Sequence, residues 1–320
     1  MRKLLLFGGG GFVGGNIARL AMQNGWHVTI ADSFYRPGLD GAEWLDVNIT
    51  DRDAVAAVIN EVRPDAAVNV AAVADIDKAE RDRETARLVN VEGARYAAES
   101  CAAVGSRYIY FSSDAVFDGE GAGYREEDAK APVNYYGVTK SEAEDAIFKA
   151  YPGAVVIRIS LVIGFPVTGG NSFFDGLRNK LAEGAEVVCP VSEVRTPVDV
   201  LTLSECILEL AEGSFTGIVH IGATDSINRY ELTKKAAAAM GFDVNLVKAK
   251  VDETAAPVSA APPVSTDASG GGAPIAAAPA RAPRHKNGII CVEKAQKLFK
   301  AKMLTVDESV RRVIPPGFVP

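Results

Sequence analysis

The chain opens with a short apolar run, Lys3–Phe7, that stops at glycine. Apolar positions then recur at helical spacing through Ile17, Leu20 and Ala21. The same change of period repeats along the first half. A run His27–Ala31 ends in Asp32, and a short strand near Trp44–Leu45 leads to Asp46-Val47. A helix over Asp51–Val62 is broken by Pro64 before a strand Ala66–Val70. A long helix fits Glu84–Val104, a strand Arg107–Phe111, a helix from Tyr136 to about Tyr151, and a β-rich run Ala154–Ile159. The first run, Lys3–Phe7, reads as a buried parallel strand. Strand and helix alternate six times, which predicts an α/β protein with a doubly wound parallel sheet and right-handed crossovers.

Beyond Gly164 the alternation loosens. The pattern predicts helices over Asn171–Glu183, Leu203–Glu212, Arg229–Met240, Val292–Ala301 and Val306–Ile314. It also predicts a strand near Glu186–Val188, an extended Arg195–Val198 and a strand Gly217–Ile221. The expected organisation is a first domain over 1–164, with returning segments near 190–225. The remainder, 165–320, reads as a smaller ligand-binding region at the sheet's carboxyl edge. Within it, 252–283 holds six of the sixteen prolines, a glycine triplet and almost no large apolar side chain. Such a stretch buries too little surface to offset its ordering entropy, so a disordered insertion is expected there.

Composition removes several classes. A net charge of −7 argues against non-specific nucleic-acid binding, which relies on clustered Lys and Arg. Cys101, Cys189, Cys206 and Cys291 form no CxxC pair, and with only His27, His220 and His285 beside them no metal spacing is readable. Reduced thiols suit a cytoplasmic protein. The first apolar run is too short for a signal peptide or a membrane span.

The turn after the first strand fits two glycine patterns. Gly9, Gly11 and Gly14 satisfy GxGxxG, while Gly8, Gly11 and Gly14 satisfy GxxGxxG. A glycine turn between a strand and a helix brings backbone amides, including those of Phe12 and Val13, to a pyrophosphate at the helix start. This is the context of a Rossmann-type dinucleotide site. Asp32 lies eighteen residues past Gly14, near the spacing of the carboxylate that takes a ribose 2′-hydroxyl. It favours NAD and repels a 2′-phosphate; Arg36 softens that preference and keeps NADP open. Asp46 and Val47 are placed to flank the adenine, and Ala71-Ala72 to let the cofactor lie close to the backbone.

The chemistry sits in Tyr136-Gly-Val-Thr-Lys140, with Ser112-Ser113-Asp114 just upstream. Tyr and Lys four apart share one helix face, about one turn apart. A phenol of pKa ~10 is a poor acid at neutral pH unless a nearby cation favours its ionised form. Lys140 supplies that cation, and Ser113 would hold a substrate oxygen between Tyr136 and cofactor. The spacing recurs at Tyr230 and Lys234, which lack this company and read as a surface helix pair.

These stretches resemble the extended short-chain dehydrogenase/reductase superfamily, and within it the dTDP-4-dehydrorhamnose reductases and NAD-dependent epimerase/dehydratase proteins. The resemblance rests on Pro64-Asp-Ala-Ala-Val-Asn-Val-Ala-Ala running on to Asp77-Lys-Ala-Glu80, on Leu88-Val-Asn90, on Ser112-Ser-Asp-Ala-Val-Phe-Asp118 and on Asn134-Tyr-Tyr-Gly-Val-Thr-Lys140. It covers the first half well and is patchy beyond Gly164. It implies that Ser113 polarises the substrate oxygen, Tyr136 transfers the proton, Lys140 binds the nicotinamide ribose, Asn90 supports the cofactor side and Asp114 belongs to the catalytic set. Asn171, Arg195 and Arg284 become candidate substrate contacts, and a homodimer seam on two long helices is implied.

Three departures bear on the substrate. The reductases carry Tyr where Ala115 stands, an aromatic-rich segment where Ile159-Ser-Leu-Val-Ile163 stands, and Tyr-Thr where Val73-Ala74 stands. Aliphatic residues there point away from a dTDP-rhamnose precursor. The expected activity is reduction or oxidation of a carbonyl or secondary alcohol on a sugar-nucleotide-like substrate. Two alternatives are an epimerase or dehydratase built on the same apparatus, and a non-catalytic dinucleotide-binding regulatory subunit.

Overall fold

The structure is a computed structural model that describes residues 2–34, 37–250, 281–315 and 317–318. Arg36 and nearly all of the 252–283 stretch lie outside the described residues.

The elements follow the apolar pattern closely. They run β1 (Lys3–Phe7), α1 (Phe12–Gln23), β2 (His27–Asp32), β3 (Glu43–Asp46), α2 (Arg52–Val62), β4 (Ala66–Asn69), α3 (Ile76–Arg81), α4 (Arg83–Arg87), α5 (Ala94–Val104), β5 (Arg107–Ser113), α6 (Tyr135–Ala150) and β6 (Val155–Ile159). The second half adds β7 (Leu161–Ile163), α7 (Phe173–Ala182), β8 (Val187–Pro190), β9 (Val194–Arg195), β10 (Pro197–Asp199), α8 (Val200–Glu212), β11 (Gly217–Ile221), β12 (Ile227–Asn228), α9 (Arg229–Ala239), β13 (Val247–Lys250), β14 (Asn287–Gly288), α10 (Glu293–Leu298) and α11 (Val306–Val313).

Seven strands form one parallel sheet in the order β3-β2-β1-β4-β5-β6-β11. One face packs on α1 and α8 through Leu4, Leu6, Ile17, Ile30, Val68, Leu203 and Ile207. The other packs on α2, α5 and α6 through Leu5, Phe7, Val55, Ile59, Ala97, Tyr108 and Ile147. A third core, with Phe174, Leu177, Leu232, Ala236 and Val310, joins α7, α9 and α11 beside three small sheets. The winding direction reverses between β1 and β4, so the crevice for a ligand opens past their carboxyl ends.

Local chemistry explains the boundaries. Asp51 accepts from the amides of Asp53 and Ala54 and caps α2; Asn134 accepts from the Gly137 amide at 2.9 Å and caps α6. The helix expected over Glu84–Val104 is interrupted by a π-helical turn at Leu88–Gly93, which carries Asn90. Such single turns are frequent at functional positions. The apolar pattern ran through it without a break, because an inserted residue leaves hydrophobic spacing nearly intact. The helix expected over Val292–Ala301 stops at Leu298. Tyr230, expected on the surface, is half-buried against the third core.

Candidate active site

At the carboxyl edge, Gly8 takes φ 77°, and a Cβ there would come within 2.7 Å of the Ala71 amide nitrogen. Only glycine lets the turns after β1 and β4 approach this closely. Gly14, at the first turn of α1, passes equally near the Gly9 backbone. Asp32, at the end of β2, accepts from the Gly10 amide at 3.0 Å, which seats its carboxylate on the rim of the glycine turn. Val47 is buried beside it and its amide donates to the Asp32 carbonyl at 3.3 Å, while Asp46 is exposed. Ala71 and Ala72 are half-buried where the chain leaves β4. The start of α1, a carboxylate at the rim of its turn and a wall without bulky side chains fit a dinucleotide.

A segment from the second half lies across this turn. Thr168 Oγ1 donates to the Gly10 carbonyl at 2.8 Å, and Asn16 Nδ2 donates to the Phe165 carbonyl at 3.1 Å. Gly170 sits so near that a Cβ would reach 2.6 Å from the Phe12 nitrogen. Asn171, the next residue, is exposed.

The end of β5 separates two adjacent hydroxyls, because successive side chains point to opposite faces. Ser112 Oγ donates to Glu144 Oε1 at 2.5 Å, away from the crevice. Ser113 Oγ donates to Asp114 Oδ1 at 3.0 Å, accepts from the Ala115 amide at 3.2 Å and faces the Tyr136 phenol. Helix α6 can lie against this strand end because residue 137 is glycine; a Cβ there would collide with the Ala115 carbonyl. Lys140 is buried, with Nζ donating to the Phe111 carbonyl at 2.8 Å and to Tyr110 Oη at 3.1 Å, and 5.8 Å from the Tyr136 ring centre.

Electrostatics set both groups away from their ordinary values. Burial pushes the Tyr136 phenol up to about 12; the Ser113 hydrogen bond pulls against this and the Asp114 charge adds to it. Burial brings the Lys140 ammonium down to about 7, opposed by Glu144 one turn further along α6. A proton held near neutrality beside a phenol suits acid–base work. Glu144 in turn is one half of a buried pair with Arg158 of β6, at 2.9 and 2.7 Å.

Asn90 differs from the expected cofactor contact. It has no exposed surface, and its amide is spent on the Val73 amide (2.8 Å), the Val73 carbonyl (3.2 Å) and Thr139 Oγ1 (2.9 Å). It pins the loop after β4 to α6, one residue from Lys140. Arg284 is held by both oxygens of Asp77 at 2.8 Å, and its neighbours tie down too, the Ala282 amide to Asp77 and the Pro283 carbonyl to Asn134. Arg195 donates to the carbonyls of Val194, His285 and Lys286, and its Nε lies 3.8 Å from Asp114. Both guanidiniums therefore brace the site from within the protein. Residues not singled out by sequence also belong here. Ser160 Oγ donates to Asp114 Oδ2 at 2.7 Å, and His285 Nε2 lies 3.0 Å from the same oxygen. Ser160 stands just past β6, and His285 lies in the stretch Pro283-Arg-His-Lys-Asn, which loosely resembles sugar-nucleotide relatives, but 171 residues separate it from Asp114 and no spacing links the two.

Among the described residues no group of side chains has the arrangement of a metal site, and no helix is long and apolar enough to cross a membrane.

The model of the RmlD substrate binding domain family matches residues 1–317. The chain belongs to this family. Among its relatives, the Xenopus tropicalis protein named methionine adenosyltransferase 2 subunit beta is 31% identical over 268 residues, covering 82% of this chain and 78% of that protein. The Pongo abelii protein of the same name is 37% identical over 163 residues, and there the match spans only 51% of this chain and 48% of the relative. A dTDP-4-dehydrorhamnose reductase of Aggregatibacter actinomycetemcomitans is 29% identical over 219 residues, covering 68% and 70%. Among solved structures, a hypothetical dTDP-4-dehydrorhamnose reductase from Sulfolobus tokodaii superposes with a TM-score of 0.76 at 27% identity, covering 97% of this chain and 99% of the other. The Bacillus anthracis dTDP-4-dehydrorhamnose reductase in complex with NADP gives 0.80 at 24% identity, covering 98% and 99%, and speaks for the fold. This family member thus has the Rossmann-type fold of the extended short-chain dehydrogenase/reductase superfamily.

Proposed function

We propose that this RmlD-family chain is an NAD(P)-dependent oxidoreductase of the extended short-chain type. It reduces or oxidises a carbonyl or secondary alcohol on a sugar-nucleotide-like substrate. The observation that carries this reading is the meeting of Ser113, Tyr136 and Lys140 beside the glycine turn at the sheet's switch point. Relatives named dTDP-4-dehydrorhamnose reductase and structural neighbours in complex with NADP or NAD support it.

In this reading the amides of Phe12 and Val13 at the start of α1 hold the pyrophosphate, which the close turn of Gly8, Gly11 and Gly14 lets approach the backbone, and Asp32 takes the adenosine ribose. Asp46, Val47, Ala71 and Ala72 border the adenine and the rest of the cofactor. The nicotinamide, when bound, supplies or accepts the hydride. Tyr136 gives the proton to, or takes it from, the substrate oxygen, with Lys140 beside it lowering the energy of the phenolate. Ser113 hydrogen-bonds the reacting oxygen, and Asp114 fixes Ser113. Asn171 borders the crevice as a substrate contact, and a homodimer would use the faces of α5 and α6.

Calorimetric titration with NADH and with NADPH, followed by a panel of nucleotide-sugar ketones, tests this. Micromolar binding of NADH and consumption of it by at least one ketone are expected. Absence of binding to either dinucleotide would end the reading.

A second reading is favoured by one observation, the matches to proteins named methionine adenosyltransferase 2 subunit beta. There the chain would bind a dinucleotide and regulate another enzyme without turnover. A Tyr136→Phe variant that keeps the cellular function of the wild type would select this second reading.

A further inference from the structure

Behind Ser113 lies a buried cluster of which the proton-transfer scheme uses only Asp114. Asp114 is 3% exposed and His285 4%. The two Asp114 oxygens are divided between partners. Oδ1 accepts from Ser113 Oγ at 3.0 Å, while Oδ2 accepts from Ser160 Oγ at 2.7 Å and meets His285 Nε2 at 3.0 Å. Arg195 Nε approaches the same oxygen at 3.8 Å, and its Nη2 donates to the His285 carbonyl at 3.1 Å. Gly288 leaves the space in which these groups meet, since a Cβ there would collide with Asp114 Oδ2. Gly119 does the same on the other side, where a Cβ would come within 2.6 Å of the His285 Cβ. The second ring nitrogen of His285, Nδ1, is buried with no partner. Among the described residues the one hydrogen bond of this imidazole is therefore spent on Asp114.

We infer that His285 is a positioning residue of this site, holding Asp114 from behind as an ionised acceptor that competes with Tyr136 for the single hydroxyl proton of Ser113. The inference rests on the oxidoreductase reading above and extends it to a residue outside the Ser-Tyr-Lys set. A carboxylate can only accept hydrogen bonds, and a charged acceptor outbids a neutral phenol for a hydroxyl proton. Before a substrate enters, with Tyr136 neutral, Ser113 therefore donates to Asp114; a substrate carbonyl draws that proton to itself in place of Asp114. When Tyr136 becomes a phenolate, the Ser113 proton swings to it and stabilises that state. Burial alone would favour the neutral acid of Asp114; the His285 hydrogen bond and charge, then Arg195 and Ser160, bring its carboxyl below the ordinary value. The charged or titratable groups that face Asp114 are His285, Arg195 and, across Ser113, Tyr136 of α6.

The test uses the full chain, wild type against His285→Leu and His285→Gln. Gln keeps an N–H donor at the reach of Nε2; Leu does not. Infrared spectra across a pH series read the carbonyl stretch of a protonated carboxyl, assigned by its disappearance in Asp114→Asn. In His285→Leu this band should appear at a pH at least one unit higher than in wild type, and His285→Gln should return most of the difference. With a nucleotide-sugar ketone, the acid limb of kcat should move by the same amount, while NADH binding stays unchanged. An Asp114 band at the same pH in wild type and Leu variant would overturn the inference, and so would equal displacement in Leu and Gln variants. If the wild type turns over no ketone, the oxidoreductase reading fails, and the infrared comparison still decides the role of His285.

Discussion

Replacing Arg158 by Leu should destabilise the fold far more than an average core change, and the structure sets the size. Arg158 and Glu144 are 2% and 1% exposed and share two hydrogen bonds, at 2.9 and 2.7 Å. Arg158 also donates to the Glu126 carbonyl at 3.2 Å and stacks over Phe117 at 5.1 Å. Removing the guanidinium strands the Glu144 carboxylate in the interior, with only the Ser112 hydroxyl and, at 3.6 Å, the Lys130 amine. Breaking a buried pair from one side costs roughly 3–5 kcal/mol. Lys130 offsets part of this, so about 3 kcal/mol is expected. That corresponds to a fall of about 6–12 °C in Tm by the usual scaling for large domains. Replacing both partners by Leu removes the stranded charge, and the double variant should recover most of the loss. Urea midpoints and thermal scans of the two single variants and the double variant measure this. A single variant within 1 kcal/mol of wild type, or a double variant no better than the single, would refute the reasoning.

Three further outcomes follow from the same structure. Lys140, brought down to about 7 from an ordinary 10.5, binds fewer protons folded than unfolded between those values, so stability rises with pH there. Wild type should gain on Lys140→Met from about pH 7 toward 10 in parallel urea titrations; equal slopes would sink this. His220 is fully buried, neither ring nitrogen has a hydrogen-bond partner among the described residues, and burial, then the Arg158 charge, takes it down to about 3 from 6.5. The unfolded chain takes up that proton first, so stability falls as pH drops from 6.5 toward 3. His220→Phe keeps the ring beside Phe117 and should spare about 2 kcal/mol of that loss near pH 5, read by denaturation at both pH values. Asn90→Ala strands the Val73 amide and carbonyl and should cost about 2–3 kcal/mol while also weakening dinucleotide binding; unchanged stability would contradict its bracing role.

The central sheet was legible because most of its strands are short, largely apolar runs between turn residues, and the glycine turn fixed where the crevice lies. Ser113, Tyr136 and Lys140 could be singled out because strand end and helix face are local properties. The partners of those residues were not legible. Glu144 and Arg158 meet across two elements, and Asp114 meets His285 over most of the chain, so no spacing records either pair. Arg195 and Arg284 were candidate substrate contacts, yet each is held by acceptors, carbonyls for Arg195 and the Asp77 carboxylate for Arg284, that only tertiary structure brings near. Asn90 was reachable by resemblance, but its full burial follows from the π-helical turn, which leaves no mark on the apolar pattern. Of the small sheets in the second half, β8 and the extended run at β9 and β10 were legible, while their partners β7, β12, β13 and β14, two to four residues long, carry too little periodicity to read.

The most direct test of the oxidoreductase reading follows a deuteride from labelled NADH or NADPH into a nucleotide-sugar ketone, for wild type and Tyr136→Phe. Deuterium on the former carbonyl carbon with wild type, and at least a hundredfold slower incorporation with equal dinucleotide binding in the Tyr136→Phe variant, is the expected result. Equal incorporation by both proteins, or tight dinucleotide binding by wild type with no incorporation into any ketone, would contradict it.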